Sequence, residues 1–358
     1  MRLGVLDVGS NTVHLLVVDA RRGGHPTPMS STKASLRLAE AIDDSGKLTR
    51  RGADRLVGTV DEFARIATSS GCSELMAFAT SAVRDARNSE DVLARVKAET
   101  GVELRVLSGV DESRLTFLAV RRWYGWSAGR IINIDIGGGS LELSSGVDEE
   151  PDVALSLPLG AGRMTREWLP DDPPGRRRVG MLRDWLSNEM AESAAVITEA
   201  GSPDLAVATS KTFRSLARLT GAAPSGAGPR VKRTLTATGL RQLINFISRM
   251  TAADRAELEG VSVDRAPQIV AGALVAEASM KALGIESVDI CPWALREGLI
   301  LRKLDSEADG TAFVGGSEPA TKSGGSGKSG KVSGTDKAAK GGAGESAARL
   351  MSVRNAGR

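Results

Sequence analysis

The chain has 358 residues, of which 41% are hydrophobic and only 3% aromatic, and it contains two cysteines, Cys72 and Cys291. This length is sufficient for two domains with separate hydrophobic cores. The formal net charge is +3, but residues 311–358 contain eight Lys or Arg against three Asp or Glu, so the basic excess belongs to the tail. Because the remainder is slightly acidic and poor in aromatic residues, we expect no specific nucleic-acid partner.

The sequence carries no recognisable targeting segment. The N-terminus begins directly with a strand pattern, and no apolar run approaches the ~20 residues that a membrane-spanning helix needs. The two cysteines lie in apolar stretches, at a spacing that suits no metal site. We therefore expect a cytoplasmic protein with reduced, buried thiols and no membrane partner.

The predicted elements begin with a hairpin over residues 3–17, in which two apolar strands flank a Gly-Ser-Asn turn. The same pattern returns over residues 131–143, where the turn is Gly-Gly-Gly. Asp7 and Asp135 take the same place before the two turns, at an offset of 128 residues. Two such copies predict two related domains that direct their turns at a shared cleft. The alternative, a chance repeat of a hairpin, does not explain why both copies place an aspartate there.

The second hairpin has the composition of a phosphate site. Glycines in a tight turn leave backbone N–H groups bare and allow an anion to approach the main chain closely. Asp135 precedes this turn and Glu142 follows it, and carboxylates in such a place can hold a hard cation beside the phosphate. On its own, a glycine turn also suits a hairpin that uses it for geometry only.

The segment between the hairpins predicts a helix over residues 49–69, a strand over residues 74–79, and a further helix starting within residues 80–88. Ser81 is the candidate N-cap of that further helix. A helix N-terminus attracts anions, and Arg84 is placed one turn later, where it could clamp a phosphate. The alternative is a capped surface helix with solvated arginines.

A strand over residues 102–107 and a helix over residues 113–126 are predicted next. Asp111 and Glu112 lie at the start of this helix, where acids stabilise any helix through its dipole. The functional alternative is that Glu112 faces the cleft and acts as a general base toward a water molecule.

The second half of the chain is predicted to contain more helix than strand. Thr238 is the candidate cap of a helix that runs to Met250, and proline lies in the first turn of a helix over residues 266–283. We predict strands over residues 205–208 and 288–291, a loop over 158–163, a helix after 209–212, and a last helix over 293–304. Six cations follow one another without an acid between them, which favours either a polyanion track or a solvated helix face: Lys211, Arg214, Arg218, Arg230, Lys232 and Arg233.

The organisation predicted from these elements is two domains and a tail. Residues 1–128 form domain I, with the first phosphate turn and the candidate base. Residues 129–308 form domain II, with the second turn and the carboxylates that follow it. Residues 309–358 are rich in Gly, Ser and Lys, and they are predicted to be disordered.

Several separated motifs make the chain resemble the exopolyphosphatase and guanosine pentaphosphate phosphohydrolase (Ppx/GppA) family. The resemblance covers about residues 1–305 and is strongest to the short members from mycobacteria and other actinobacteria. It implies an α/β fold of two ribonuclease H-like domains, of the actin-like ATPase superfamily, with a cleft between them. The motifs are Asp7-Val-Gly-Ser-Asn11, Ala79-Thr-Ser-Ala-Val-Arg84 with Asn88, Ser108-Gly-Val-Asp-Glu-Ser113, Asp135-Ile-Gly-Gly-Gly-Ser-Leu-Glu142 and Arg265-Ala-Pro-Gln-Ile-Val-Ala-Gly272.

The resemblance also implies roles for residues. Glu112 would be the catalytic base, and Asp7, Asp135 and Glu142 would hold Mg²⁺, with Mn²⁺ as an alternative. Relatives carry a glycine where Lys211 stands, so that its phosphate contact would move from backbone to side chain. The residues expected to bind substrate phosphate are Ser10, Asn11, Ser81, Arg84, Gly137, Gly138, Gly139, Ser140 and Lys211.

The implied activity is hydrolysis of terminal phosphate from inorganic polyphosphate, with short chains favoured because the extra domains of longer relatives are missing. Guanosine pentaphosphate, a nucleotide of the stringent response, is the alternative substrate. A small-molecule kinase of the same superfamily and a non-catalytic polyphosphate or nucleotide sensor remain as further alternatives. A homodimer is among the assemblies that the resemblance allows.

Overall fold

A five-stranded mixed sheet forms from the N-terminal part of the chain. The computed structural model describes residues 1–309. The strands of this first sheet are β1 (Arg2–Val8), β2 (Thr12–Asp19), β3 (Thr27–Ser35), β4 (Glu74–Ala79) and β5 (Arg105–Val106). They pair in the order β3-β2-β1-β4-β5, in which β1, β4 and β5 run parallel and the other neighbours are antiparallel.

A six-stranded sheet follows, with an equivalent hairpin at its centre. Its strands are β6 (Ile131–Ile136), β7 (Leu141–Gly146), β8 (Val153–Leu157), β9 (Leu205–Ala208), β10 (Thr234–Thr236) and β11 (Ser287–Ile290). Their order is β10-β11-β9-β6-β7-β8. The hairpins β1–β2 and β6–β7 are both antiparallel, so both sequence-predicted copies of the motif are confirmed.

The described part of the chain contains eleven α-helices. They are α1 (Arg50–Ser69), α2 (Ser81–Arg84), α3 (Ser89–Thr100), α4 (Gly109–Tyr124), α5 (Ala161–Trp168), α6 (Arg176–Glu199), α7 (Ser210–Leu219), α8 (Ala237–Ile247), α9 (Ala252–Ala256), α10 (Ile269–Ala282) and α11 (Leu295–Asp309). None of these helices has both the length and the apolar character that crossing a membrane requires. Residue 309 ends α11, and the disorder predicted for the rest of the tail lies outside the described residues.

Helices α4 and α11 lie between the two sheets. Leu115 of α4 and Leu299 of α11 pack with Leu3 on one face of the first sheet. Phe117, which also belongs to α4, packs with Ile131 of the second sheet. We call the first sheet with α1–α3 the first lobe, and the second sheet with α5–α10 the second lobe. Backbone contacts join both lobes into one compact unit, and the apolar face of α4 therefore serves two cores.

The contact between α4 and α11 depends on a glycine. A Cβ atom at Gly298 would overlap the carbonyl oxygen of Leu115, so any other residue would force the two helix backbones apart. The final helix is thereby held directly against the helix that carries Glu112.

The register of the hairpins places acidic side chains beside the turns. Asp7 of β1 lies opposite His14 of β2, and Asp135 of β6 lies opposite Glu142 of β7. Directly opposed residues of an antiparallel pair project from the same face of a sheet. Asp135 and Glu142 therefore share the face that α4 covers.

Three predicted helix starts are wrong by one to four residues. Thr80, not Ser81, occupies the N-cap of α2, and Ser81 is its first helical residue. Helix α4 starts at Gly109 because the Ser108 hydroxyl accepts a hydrogen bond from the Asp111 backbone N–H. The Thr236 side chain caps α8 through the Gly239 N–H, so the predicted cap at Thr238 is wrong.

Other predictions differ because the segments form structure of another kind. Residues 266–268 belong to turns, and α10 starts only at Ile269. The loop predicted over residues 158–163 ends in the first turn of α5. Strand β3 is not predicted from the sequence, because an exposed edge strand lacks the apolar residues that mark a buried one. The predicted strand over residues 102–107 is reduced to the two residues of β5.

Arg121 joins α4 to the second hairpin from inside the protein. This side chain is fully buried. Its guanidinium donates hydrogen bonds to the carbonyl oxygens of Gly125, Gly129 and Gly146, at 3.1, 2.7 and 2.9 Å. Those acceptors lie at the end of α4, before β6 and at the end of β7, so one cation fixes the approach of α4 to the sheet that carries Asp135 and Glu142.

We expect Arg121→Met to lower the free energy of unfolding by about 3 kcal/mol, because three carbonyl groups, of which that of Gly146 is buried, lose their donor. Urea unfolding measures this loss. Arg65→Met is the control, since Arg65 is exposed and its ion pair with Asp61 lies on the surface; its effect should stay within about 0.5 kcal/mol. Equal effects of the two substitutions would contradict the structural role of Arg121.

Candidate active site

The two glycine turns meet at the boundary between the lobes. A Cβ atom at Gly138 would lie 3.0 Å from the Ser10 Cβ and 3.2 Å from the Asn11 Nδ2, and one at Gly139 would overlap the hydroxyl of Ser81. The turn of the second lobe can therefore approach the first lobe only because it lacks side chains. The Ser10 and Ser81 hydroxyls lie 2.8 Å apart in a hydrogen bond. Backbone amides of the second turn and two serine hydroxyls are thus brought together at this boundary.

A cavity of about 260 Å³, which we call the cleft, opens in front of these turns. It gathers most of the residues that the sequence singled out. Arg84 and Gly139 do not line it. The predicted site residues that do are Asp7, Ser10, Asn11, Ser81, Glu112, Asp135, Gly137, Gly138, Ser140, Glu142 and Lys211.

Glu112 is buried in the cleft wall and carries an ion pair. Its carboxylate is bonded to the guanidinium of Arg84, which also donates a hydrogen bond to the carbonyl of Leu107 at 3.0 Å. Burial, and then the nearby negative charge of Glu142, raise the pKa of Glu112 well above its usual value of 4.5, and the Arg84 guanidinium opposes that shift. The arginine predicted to clamp phosphate is therefore engaged with the predicted base.

Glu142 is buried as deeply as Glu112. Its carboxylate accepts a hydrogen bond from Ser156 at 2.9 Å. Burial and then the charge of Asp135 raise the pKa of Glu142 to about 8. At neutral pH this carboxyl group is mostly protonated, and a positive charge nearby would favour its ionised form.

Asp135 is half-buried and held by the next strand. Thr209 donates a hydrogen bond from its hydroxyl to Asp135 Oδ2 at 2.5 Å. Thr209 stands at the N-cap of α7, but its side chain makes no capping bond to that helix, so the hydroxyl serves the carboxylate instead. The pKa of Asp135 is raised, chiefly by its removal from bulk water, and the Thr209 bond opposes this.

The donor atoms of the cleft suit a hard divalent cation. Asp7, Asp135 and Glu142 offer carboxylate oxygens only, and loss of hydration raises the pKa of each. Within residues 1–309, no group of three or more Asp, Glu, His or Cys forms a complete metal-binding set. Mg²⁺ in phosphate sites commonly takes one or two carboxylates and fills its shell with water and phosphate oxygens. The residues present therefore fit a cation that completes its shell with substrate.

A group of cations, Lys33 from the first lobe and the others from the second, faces these acids. The pKa of Lys211 is lowered, first by burial and then by the positive charges of Arg265, Lys33 and Arg214. The Lys211 ammonium lies 3.3 Å from the Ser262 hydroxyl. Cations that crowd one another in this way favour the arrival of an anion.

The cation group also opens into a second, larger space. A cavity of about 480 Å³, which we call the outer cavity, shares Lys33, Lys211 and Arg214 with the cleft. The Arg214 Nε atom is buried and has no hydrogen-bond partner in the described structure. The outer cavity thus extends the positive surface away from the glycine turns.

Direct bonds hold the lobes together around the turns. Asn11 donates to the Gln268 side chain at 3.1 Å. Arg163 donates to the carbonyl of Gly139 at 3.0 Å and to the carboxylate of Asp85 at 2.6 Å. These bonds close the cleft at the side of the phosphate turns.

Some cleft residues escaped the sequence analysis. His14 lies opposite Asp7 in the hairpin, 2.7 Å from the Ser31 hydroxyl and 3.3 Å from Arg296. The register of the predicted hairpin could have placed it there. Ser210 adopts a φ of 70°, in the left-handed region, and lines the cleft. No local pattern indicates it.

The known proteins that are similar to this chain in sequence are phosphatases. The sequence model of the Ppx/GppA phosphatase family matches residues 17–307. Exopolyphosphatase 1 of Mycobacterium tuberculosis is 85% identical over 314 residues, which are 88% of this chain and 91% of the relative. Exopolyphosphatase 1 of Mycobacterium leprae is 82% identical over 314 residues, which are 88% of this chain and 93% of that protein.

Solved structures support the fold. The crystal structure of an exopolyphosphatase from Cytophaga hutchinsonii aligns with a TM-score of 0.77 at 24% identity, covering 88% of this chain and 100% of that one. The Aquifex aeolicus member of the Ppx/GppA family aligns with a TM-score of 0.73 at 23% identity, covering 86% of this chain and 98% of that one. The α/β fold expected from the motifs is thereby confirmed.

Gly160 packs against the second glycine turn, so a substitution there tests whether this turn binds phosphate. A Cβ atom there would lie 2.5 Å from the backbone nitrogen of Gly139 and would overlap further atoms of the same peptide, so Gly160→Ala should displace the turn. We expect inorganic phosphate to bind at least about tenfold more weakly, a change of ~1.4 kcal/mol that calorimetry detects.

Gly58→Ala is the matched control, because nothing lies within 4 Å of the added atom. It should leave phosphate binding unchanged and raise the thermal midpoint slightly through helix propensity. Unchanged phosphate affinity in Gly160→Ala would contradict the assignment of the turn as a phosphate site.

Proposed function

The chain belongs to the Ppx/GppA phosphatase family, and on that premise we propose that it is an exopolyphosphatase. It removes the terminal phosphate of inorganic polyphosphate by hydrolysis and releases orthophosphate. The observation that carries this proposal is the position of Glu112, which is buried beside the acidic face of the second hairpin, in one cleft with both glycine turns.

We assign the attack to a water molecule activated by Glu112. The carboxylate of Glu112 accepts a proton as the water oxygen bonds to the terminal phosphorus. The anhydride P–O bond breaks, and its oxygen leaves with the shortened chain. Arg84 fixes the orientation of Glu112 through their ion pair. The amides of the second turn, together with Ser10 and Ser81, would hold the phosphate oxygens and stabilise the charge that develops on them.

Asp7, Asp135 and Glu142 would hold Mg²⁺, or Mn²⁺ in its place. The bound cation would neutralise charge on the phosphate oxygens as the anhydride breaks. The support for this assignment is that loss of hydration raises the pKa of each of these carboxylates, and a divalent cation among them would favour their ionised form. The acids and the substrate phosphates would repel one another without such a charge.

The outer cavity supports a linear polyanion as substrate. It continues from the cleft through Lys33, Lys211 and Arg214, and phosphates behind the terminal one would meet these cations in turn. The phosphate contacts predicted for Asn11 and Arg84 are also part of this proposal.

Guanosine pentaphosphate is the second candidate substrate. The outer cavity also presents apolar surface from Pro224, Pro229, Ile290 and Pro292, against which a nucleoside could lie. The family includes phosphohydrolases of both kinds, so the two substrates need to be compared directly.

We also propose a cytoplasmic location. Both cysteines of the described residues, Cys72 and Cys291, are free thiols, as is usual in a reducing compartment. The homodimer stays a prediction from the sequence. The small-molecule kinase and the non-catalytic sensor stay as alternative functions based on the sequence.

We expect Glu112→Gln to lower orthophosphate release by about a hundredfold or more, because the amide cannot accept the proton from water. The assay follows orthophosphate from short polyphosphate, long polyphosphate and guanosine pentaphosphate in parallel, with Mg²⁺ and with chelator. Chelator should stop release from the preferred substrate. Asp111→Asn, one residue earlier on α4, is the control and should retain activity. Wild-type turnover in Glu112→Gln would refute the assignment of the base.

The pH dependence of kcat/KM should show an acid limb well above pH 4.5, because Glu112 acts deprotonated and burial raises its pKa. Arg84→Gln removes the cation that opposes this rise, so the acid limb should move to still higher pH. Arg84→Lys keeps a positive charge and should shift the limb less. An acid limb that stays in place in Arg84→Gln would show that another group controls it.

A further inference from the structure

A groove of about 230 Å³ runs beside strand β4, at one end of the first sheet, and we call it the edge groove. It is lined by residues 74–78 of β4 and by Gly101, Val102, Glu103 and Arg105. Among the described residues, none lines both this groove and the cleft. Its role is therefore separate from the proposed reaction.

The edge groove exists because β5 is much shorter than β4. Strand β5 pairs only with Phe78 and Ala79, whereas β1 pairs with β4 along its whole length. Within residues 1–309, no strand pairs with residues 74–77 on the side away from β1. Such an edge presents backbone N–H and C=O groups that can pair with a further strand.

Apolar side chains lie on both faces of the sheet at this edge. Met76 packs with Leu304 of α11 in the core on one face. Leu75 and Val102 pack against the core on the opposite face. Because successive side chains of a strand point to opposite faces, a strand with neighbouring apolar residues would be stabilised on both faces here.

Helix α11 brings the rest of the chain to the same edge. The Lys303 side chain forms an ion pair at 2.7 Å with Glu74, the first residue of β4. From Lys303 the helix continues to Asp309, a further rise of about 9 Å. Extended chain spans about 3.3 Å per residue, so residues 310–313 are long enough to return from Asp309 to the edge groove.

The residues that follow α11 have the composition that this edge requires. They are Gly310-Thr-Ala-Phe-Val-Gly-Gly316, where Thr, Phe and Val, all frequent in strands, stand between glycines without a charge or a proline. Phe313 is the only aromatic residue after Asp309, and no other two large apolar residues are adjacent before Leu350. One short segment of the tail is thus suited to a sheet edge.

We propose that residues 311–314 bind along the open edge of β4 as an additional strand of the first sheet, with Phe313 in the edge groove. With Phe313 on the side of Met76, alternation places Val314 on the side of Leu75. The segment closes an edge that would otherwise accept strands of other molecules, and it anchors the end of α11 to the sheet. This inference does not depend on the proposed function.

Hydrogen exchange of the full chain, followed by mass spectrometry on peptides that contain residues 74–78, tests the proposal. Phe313→Asp should lower the protection of these amides by at least about tenfold, because a carboxylate in an apolar groove opposes docking. Phe313→Leu should retain most of the protection. Val332→Asp, which makes the same kind of change farther along the tail, is the control and should leave exchange at the wild-type rate.

Limited digestion with chymotrypsin keeps the test decisive if Phe313→Asp does not fold. A docked strand resists proteolysis, so cleavage of the unmodified protein near Leu350 should precede cleavage after Phe313. Val102→Arg places a charge in the edge groove and should accelerate cleavage after Phe313 by about tenfold or more.

Two results would overturn the proposal. The first is cleavage after Phe313 as fast in the unmodified protein as in Val102→Arg, together with equal exchange of residues 74–78 in Phe313→Asp and the wild type. The second is protection of these residues that falls on dilution and is insensitive to Phe313→Asp, which would assign the edge to a second copy of the chain.

Discussion

Several carboxylates lie close together where α4 packs on the second hairpin, and much of the surrounding structure compensates their charge. Glu112 and Glu142 are buried there; the charge of Glu142 raises the pKa of Glu112, and the charge of Asp135 raises the pKa of Glu142. Such an arrangement destabilises a folded protein unless the charges are paired or used. Arg84 compensates Glu112, and Thr209 compensates Asp135 through one hydrogen bond. A bound cation would neutralise the remaining negative charge and thereby allow a phosphate chain to approach.

The glycine turns and the acids are connected by one chain of polar contacts. Glu112 pairs with Arg84, Arg84 with Asp85, and Asp85 with Arg163. Arg163 ends the series on the carbonyl of Gly139. Three ion pairs therefore link the candidate base of α4 to the phosphate turn of the second lobe. This connection explains why Arg84, outside the cleft lining, still belongs to the site.

Sequence patterns predicted the parts of the site that are local. Both hairpins and the place of Asp7 and Asp135 follow from alternation and glycine within a few residues, and the family motifs singled out Glu112. The contact of Asn11 with Gln268 spans most of the chain, and no local pattern encodes such a distance. Thr209 was placed at a helix start, where its use for Asp135 instead of the helix could not be distinguished. The carbonyl-binding role of Arg121 likewise appears only once α4 and β7 have packed.

The position of α11 has a mechanical consequence. The chain passes from α4 into the second lobe through residues 125–130 and comes back through residues 291–294 to a helix that packs on Leu3 of the first sheet. Two bodies that are joined by two separate links rotate most easily about the line through those links. The two links resist twisting and sliding. Because Gly298 holds the return link against α4, we expect any widening of the gap between the lobes to follow a rotation about this line.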